Sequence, residues 1–397
     1  MARAPRTCAP VRRRVALALQ ACSLFPHQVP AGYSGRAVRA YLACGAKEWL
    51  AARAAGLAGA GMSFEQFRAP WWQPGGHVQT IWASLCARYQ AKGALPQPWR
   101  RERWDTPDGD FIDVDFSSHA VAANAPTLVL FHGLEGSSSS HYAKATALAC
   151  AQRCWRLAVP HFRGCSGEPN RLLRAYHSGD VDEVDWILRR LQQGASGDLL
   201  AMGISLGGNS LARWAGVQQQ AAAQLIQGAA VVCAPLDLVA GGISLGRGLN
   251  RWIYTPMFMR TLVPKALGKW QQSPGAFDKA ALLRARTLHA FDDVFTAPVH
   301  GFKNADDYWT RASAKPLLKQ VAVPLLLLNA LNDPFVPAHS LPTVSDVSAS
   351  VQLWQPPHGG HAGFASGAWP AHVQAMPQAV TQWLAQWVTA PQHNKER

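Results

Sequence analysis

The chain has 397 residues, of which 48% are hydrophobic and 16% charged, with a formal net charge of +14. That balance excludes a disordered chain, and the length excludes a disulfide mini-protein while suiting one large α/β domain or two smaller ones. No uninterrupted apolar stretch approaches the roughly 18–20 residues that span a bilayer, which argues against an integral membrane protein.

The basic excess is local. Residues 1–62 carry nine Lys or Arg against the single acid Glu48, and residues 239–320 carry twelve against five. The remainder of the chain is close to neutral. A nucleic-acid partner, which +14 alone would suggest, is not expected, because no reading motif accompanies the charge. The Ala- and Arg-rich first 62 residues read as a poorly ordered basic extension to a domain spanning 63–397. Arg12, Arg13 and Arg14 followed by Val15–Leu19 have the order of a signal peptide, and Leu19-Gln20-Ala21-Cys22 resembles a lipoprotein cleavage box. The apolar stretch, about seven residues, is at the lower limit for a signal core. A cytoplasmic location is therefore expected, with export or lipid anchoring through this segment as the alternative. The eight cysteines include no Cys-x-x-Cys pair. They are expected as reduced thiols, with Cys150 and Cys154 on one helix face as core packing, and no metal constellation stands out.

From Ser63 onward, short apolar runs alternate with turns and amphipathic stretches. Arg100–Phe116 reads as two strands joined by Pro107-Asp108-Gly109-Asp110. Thr127–Phe131 is a buried strand running into His132-Gly133. A helix over Tyr142–Cys154, a strand over Trp155–Pro160 and an amphipathic helix over Asp180–Gln193 follow. Asp198–Gly203, Ala229–Cys233, Pro324–Asn329 and Val351–Trp354 complete the strands. Apolar strands alternating with helices imply a mostly parallel sheet covered on both faces, a doubly wound α/β fold.

Gly203-Ile204-Ser205-Leu206-Gly207 matches G-x-S-x-G, and Gly242-Ile243-Ser244-Leu245-Gly246 repeats the same five letters. Ser205 follows an apolar strand and precedes the helical Asn209–Gln220, the context of a strained strand-to-helix elbow that exposes a nucleophile. No strand leads into Ser244, which is expected in a loop or at a helix start. A serine hydroxyl needs a base and a group that orients the base, in the chain order Ser, acid, His. Asp333 sits past the carboxyl end of the strand Pro324–Asn329, where sites form in parallel sheets. His361 lies 28 residues on, after two glycines that let the loop return over the sheet. His358 is the alternative base, and Asp237 and Asp346 are competing acids better read as a helix cap and a loop residue. The oxyanion of a tetrahedral intermediate needs two N–H donors, expected at Leu206 and at Leu134 in the loop after Phe131. His132 is expected to bond the backbone of that loop. His177–Asp182 also fits an H-x-x-x-x-D string, better explained as a helix-start cap.

With these residues assembled, the chain resembles the YheT-like branch of the α/β-hydrolases, related to eukaryotic α/β-hydrolase domain proteins and yeast medium-chain ester synthases. The resemblance rests on Gly75–Thr80, Phe131–Ser138, Phe162–Asn170, Tyr176–Asp180, the elbow, Phe291–Asp293, Ala305–Tyr308, Asn332–Phe335 and Gly359–His361, in that order over about residues 66–385. It implies carboxylic ester hydrolysis, with Ser205, Asp333 and His361 as the triad. Short- to medium-chain esters or monoacylglycerols would be the substrates. The first 62 residues match nothing in that family. Residues 239–320 lie where such folds carry a helical lid; Trp252–Met259 suits acyl chains, and Arg247, Arg251, Arg260, Lys265 and Lys269 read as a solvated face or a contact for an acidic head group or membrane surface. No cofactor or metal is called for. An acyltransferase passing the acyl group to an alcohol, and a non-catalytic scaffold, are the alternative functions.

Overall fold

The computed structural model describes residues 64–87 and 99–389. The expectations for the basic extension at 1–62, including its signal-like segment, lie outside the described residues. Eight strands form one sheet in the order β1-β2-β4-β3-β5-β6-β7-β8. They are β1 (Trp99–Asp105), β2 (Phe111–Ser117), β3 (Thr127–Phe131), β4 (Arg156–Pro160), β5 (Leu199–Ile204), β6 (Gly228–Val232), β7 (Leu325–Leu328) and β8 (Val351–Trp354). β1 and β2 form an antiparallel hairpin, β2 pairs antiparallel with β4, and every later pairing is parallel.

The strands are apolar on both faces because both are covered. Alternation along β3 sends Leu128 and Leu130 to one core with Met202, Val232 and Leu328, and Val129 and Phe131 to the other with Ala201, Val231 and Leu327. The first core is closed by Phe64, which precedes α1 (Gly75–Leu85), by Phe364 and Trp383, and by α2 (His141–Gln152), which contributes Ala143, Ala147 and Cys150. The second is closed by α3 (Val181–Gly194) through Val184, Ile187, Leu188 and Leu191, and by α4 (Leu206–Gln218) through Leu211 and Trp214. The hairpin is fastened from within. Arg163 is buried and bonds Asp108 at 2.9 Å and Asp110 at 3.0 Å in the predicted turn, and Glu183 of α3 at 2.5 Å. A buried guanidinium with several carboxylates avoids the penalty an unpaired charge would incur.

Between β6 and β7 the chain leaves the sheet in a helical insertion. It includes α5 (Leu238–Leu245), the long α6 (Gly248–Gln272) and α7 (Ala305–Ala312). The insertion has its own apolar core of Met259, Leu262, Ala266, Phe277, Leu282, Phe291 and Phe295.

Two expectations need correction. Ser244 is neither in a loop nor at a helix start; it is the penultimate residue of α5, because Asp237 caps that helix by accepting from the Ala240 N–H at 3.0 Å and so starts it earlier. Cys154 does not share the α2 face with Cys150: the helix ends at Gln152 and Cys154 has φ 55°. Cys86 and Cys154, both half-buried, are disulfide-bonded, whereas Cys150, Cys165 and Cys233 are free thiols. Among the described cysteines, the reduced state therefore holds for the free thiols and not for that pair.

Candidate active site

β5 delivers Ser205 to the carboxyl end of the sheet, where it takes φ 53° and ψ −118° before α4 begins. That backbone is held by its N–H donating to Val232 O of β6 at 2.9 Å and its carbonyl accepting from Asn209 N–H at 3.0 Å. The flanking glycines are there for space. A Cβ on Gly203 would stand 2.5 Å from Gly207 O, and one on Gly207 would stand 2.4 Å from His132 O and 2.5 Å from Phe131 O. Those atoms are backbone and cannot step aside, so the strand and helix approach this closely only without side chains.

His361 Nε2 lies 2.8 Å from Ser205 Oγ, and His361 Nδ1 lies 2.8 and 3.1 Å from the two carboxylate oxygens of Asp333. The Asp333 side chain is fully buried and also accepts from the N–H groups of Phe335 (2.8 Å) and Val336 (3.3 Å). The Nδ1 contact fixes which nitrogen carries the proton, leaving Nε2 to accept from the serine hydroxyl. A hydroxyl bonded to an imidazole whose other nitrogen faces a buried carboxylate is the arrangement that makes a serine nucleophilic.

The histidine loop is braced from the far end of the chain. Gly359 and Gly360 take φ of 150° and 60°. Gln79 Oε1 of α1 accepts from Gly359 N–H at 2.8 Å and from Asn332 Nδ2 at 2.9 Å. Asn332 Oδ1 accepts from Gly360 N–H at 3.0 Å, and Thr80 Oγ1 accepts from His361 N–H at 2.8 Å. The segment Gly75–Thr80 is thus the scaffold of His361, a role that sequence reasoning missed because its contacts span about 280 residues.

The loop after β3 forms a turn, with Gly136 N–H donating to Gly133 O at 2.9 Å and Glu135 at φ 57°. Tyr142 Oη accepts from Gly133 N–H at 3.0 Å. Tyr176 Oη accepts from Glu135 N–H at 3.0 Å and donates to its carboxylate at 2.7 Å. Lys265 of α6 meets the same carboxylate at 2.8 Å, tying the insertion to this loop. His132, fully buried, bonds Gly133 O through Nδ1 at 2.8 Å and accepts from Phe162 N–H through Nε2 at 3.1 Å. Burial lowers its pKa to about 3, so it stands as a neutral structural imidazole. Leu134 sits inside this turn and Leu206 is the first residue of α4, where backbone N–H groups have no intrahelical partner.

The family model of the alpha/beta hydrolase fold matches residues 126–368 of this chain. The YheT protein of Escherichia coli is 36% identical over 318 residues, covering 79% of this chain and 91% of its own. The chain belongs to the α/β-hydrolase family, in its YheT-like branch. Human phospholipase ABHD3 is 28% identical over 298 residues, covering 73% of this chain and 72% of its own. The medium-chain fatty acid ethyl ester synthase/esterase 2 of Saccharomyces cerevisiae is 26% identical over 300 residues, covering 69% and 65%.

In this hydrolase, Ser205 and His361 open onto a cavity of about 830 Å³ between the sheet and the insertion. Leu134 and Leu206 line it beside Ser205, and Phe258, Leu262, Phe291 and Phe295 supply much of its apolar wall. The other candidates are placed elsewhere. Ser244 Oγ donates to Pro334 O at 3.0 Å and receives Asn250 Nδ2 at 3.3 Å, with no histidine among its partners. Asp346 closes a capping box with Thr343, and His358 Nδ1 accepts from Ala69 N–H at 3.3 Å. Asp180, in the H-x-x-x-x-D string, caps α3 through Glu183 N–H at 3.1 Å. Two of the basic residues of the insertion are spoken for: Lys265 by Glu135, and Lys269, buried, by the carbonyls of Asn170 and Leu172.

Among the described residues, Cys233, Asp333 and His361 bring one potential metal-ligand atom each within 4.8 Å of one another. Their atoms are already engaged. Cys233 Sγ accepts from Ala362 N–H at 3.2 Å and faces Gly360 O at 3.6 Å, and burial beside Asp333 raises its pKa well above the ordinary thiol range. A protonated thiol supports the loop and is a poor metal ligand. No helix among the described residues is long and apolar enough to cross a membrane.

Proposed function

We propose that this hydrolase cleaves carboxylic esters through an acyl-enzyme on Ser205. Ser205 Oγ attacks the ester carbonyl carbon as His361 Nε2 takes its proton, while Asp333 holds Nδ1–H and stabilises the imidazolium. The oxyanion of the tetrahedral intermediate accepts from the N–H groups of Leu134 and Leu206. Collapse breaks the ester C–O bond, and the alcohol leaves with the proton from His361. Water then attacks the acyl-enzyme, gives a proton to His361, and the carboxylic acid departs as the proton returns to Ser205. These steps use no metal or organic cofactor.

The observation that carries this reading is the continuous hydrogen-bonded line from Ser205 through His361 to Asp333, with 2.8 Å at both joints, at the mouth of an apolar cavity. The substrates are small-molecule esters of short- to medium-chain acids, or acylglycerols, with the acyl chain against Phe258, Leu262, Phe291 and Phe295. The names of the human and yeast relatives, a phospholipase and a medium-chain ethyl ester synthase/esterase, agree with acyl chains of that kind. The insertion, within about residues 239–320, acts as the lid of the 63–397 domain.

The test is hydrolysis of p-nitrophenyl esters from acetate to laurate by wild type and Ser205→Ala. Wild type is expected to turn them over with a chain-length optimum and Ser205→Ala to be inactive. Equal turnover by the two would overturn the proposal. A second reading, acyl transfer to an alcohol, is favoured by the yeast relative's double name. It predicts that added ethanol yields ethyl ester faster than free acid.

A further inference from the structure

The outer surface of α6 is built for something other than water. Leu249, Trp252, Pro256, Arg260 and Pro264 are all exposed, at spacings of three and four, and exposed Met257, three residues before Arg260, widens the same face. Trp252 is 77% exposed, and Ile243 at the end of α5 adds a further exposed aliphatic side chain. The opposite face carries Tyr254, Thr255, Met259, Leu262, Ala266 and Lys269, all buried. The apolar outer face is therefore surplus to the packing of the helix. Isolated exposed apolar residues are ordinary, but a contiguous apolar face rimmed by polar groups marks a contact surface.

Charge says which contact. From residue 238 to residue 277 there is no Asp or Glu. The two acids that bound this stretch, Asp237 and Asp278, are both helix caps, accepting from Ala240 N–H at 3.0 Å and Ala281 N–H at 2.9 Å. Lys265 and Lys269 are engaged internally, as described above. Arg247, Arg251 and Arg260 are exposed, and no carboxylate of the described residues forms an ion pair with them. Arg251 instead lies over the Trp252 ring, 5.9 Å from its centroid. An exposed Trp, Leu and Met face flanked by unpaired arginines and free of acids has the chemistry of a helix lying at an anionic lipid–water interface.

We propose that the outer face of α6 docks this protein on the surface of an anionic phospholipid bilayer. The proposal deepens the ester-hydrolase reading: the same helix presents Phe258 and Leu262 to the cavity that holds Ser205, so docking sets the cavity wall against the acyl chains of the bilayer. Trp252, Met257, Leu249 and Ile243 enter the headgroup boundary, and the three arginines meet lipid phosphates.

The test is co-sedimentation of the full chain, carrying Ser205→Ala so that no lipid is consumed, with vesicles of phosphatidylcholine alone or with one third phosphatidylglycerol. The protein is expected to pellet with the mixed vesicles, to stay in solution with phosphatidylcholine, and to be released by high salt. Replacing Arg247, Arg251 and Arg260 by Gln is expected to weaken binding about a hundredfold, at about fivefold per arginine. The pair Trp252→Ser and Met257→Ser is expected to weaken it by a similar factor. Pelleting of both variants as tightly as the parent would overturn the proposal, since the basic residues 1–62 or another surface would then be the anchor. No pelleting of the parent would overturn it too and would point to a protein partner for this face. The same substitutions in the Ser205 chain are expected to leave turnover of p-nitrophenyl butyrate unchanged, because of the run Trp252–Met259 only Phe258 lines the cavity, and none of the three arginines does. Failure of that soluble turnover in the otherwise unsubstituted Ser205 chain would instead sink the ester-hydrolase reading.

Discussion

The chain spells Gly-Ile-Ser-Leu-Gly twice, and the two copies have nothing structural in common. At 203–207 the pentapeptide bridges β5 and α4, with Ser205 at φ 53° and both glycines pressed against backbone. At 242–246 it lies in and just after α5, with Ser244 in ordinary helix and Gly246 in αR conformation as the C-cap. The same letters give a strained elbow where an apolar strand leads in, and a helix end where an Asp cap leads in. Five residues do not determine their conformation; the flanking twenty do. Reactivity then follows from what the sheet order brings beside each serine, which is His361 for one and a backbone carbonyl for the other.

The widest separation between the copies is expected in turnover. Ser205→Ala should lower kcat on the order of 10⁴-fold or more, the scale seen on removing a triad serine, and Ser244→Ala should leave it within about twofold. Equal losses in the two variants, measured on one p-nitrophenyl ester, would erase the distinction.

The glycines give the next contrast. In Gly207→Ala the new methyl meets His132 O at 2.4 Å and Phe131 O at 2.5 Å, whereas in Gly246→Ala its nearest neighbours stand at 3.5 and 3.6 Å. Urea unfolding should show Gly207→Ala destabilised by more than about 3 kcal/mol, and Gly246→Ala unchanged or slightly stabilised, as expected where an Ala can adopt the native φ.

A third contrast concerns acid. The first copy is surrounded by buried neutral imidazoles: His132 touches Gly207, and His177, which lines the cavity, has its pKa lowered to about 3 by burial. For a histidine whose folded pKa is depressed from 6.5 to about 3, the unfolded chain binds the extra proton between those values. Its contribution to stability is therefore intact above pH 6.5 and is lost as the pH falls toward 3. His177→Asn, whose Oδ1 can replace Nδ1 as acceptor for Gly179 N–H, should shrink the stability difference between pH 7 and pH 5 by about 2 kcal/mol. An unchanged difference in urea unfolding at the two pH values would contradict a neutral His177.

The smallest effect belongs to the second copy alone. Ser244→Ala removes the bond to Pro334 O and should cost about 1 kcal/mol with no change in KM. A large rise in KM would mean that Ser244 touches substrate after all.

Much of this was legible in the sequence. β3 and β8 fall on the residues expected, and the other parallel strands differ from expectation by one residue at either end, because apolar runs bounded by turn residues are a strong signal for buried parallel strands. Ser205, Asp333 and His361 were named from chain order and strand ends, and they meet within hydrogen-bond distance. The bracing was not legible. Gln79, Thr80, Asn332, Tyr142 and Tyr176 hold the two loops through single side-chain bonds to backbone, across separations that leave no local pattern. The fate of Lys265 and Lys269 was equally hidden, since an internal carbonyl cage and a solvated helical face have the same composition. The cysteines show the converse limit: spacing alone does not tell the disulfide-bonded Cys86 and Cys154 from the free Cys150.

The central claim, that one of two identical pentapeptides holds the nucleophile, is tested most directly by labelling the full chain with a fluorophosphonate and mapping the adduct by peptide mass spectrometry. The account predicts a single adduct on Ser205, absent from Ser205→Ala and retained in Ser244→Ala. An adduct on Ser244, or one that survives Ser205→Ala, would contradict it.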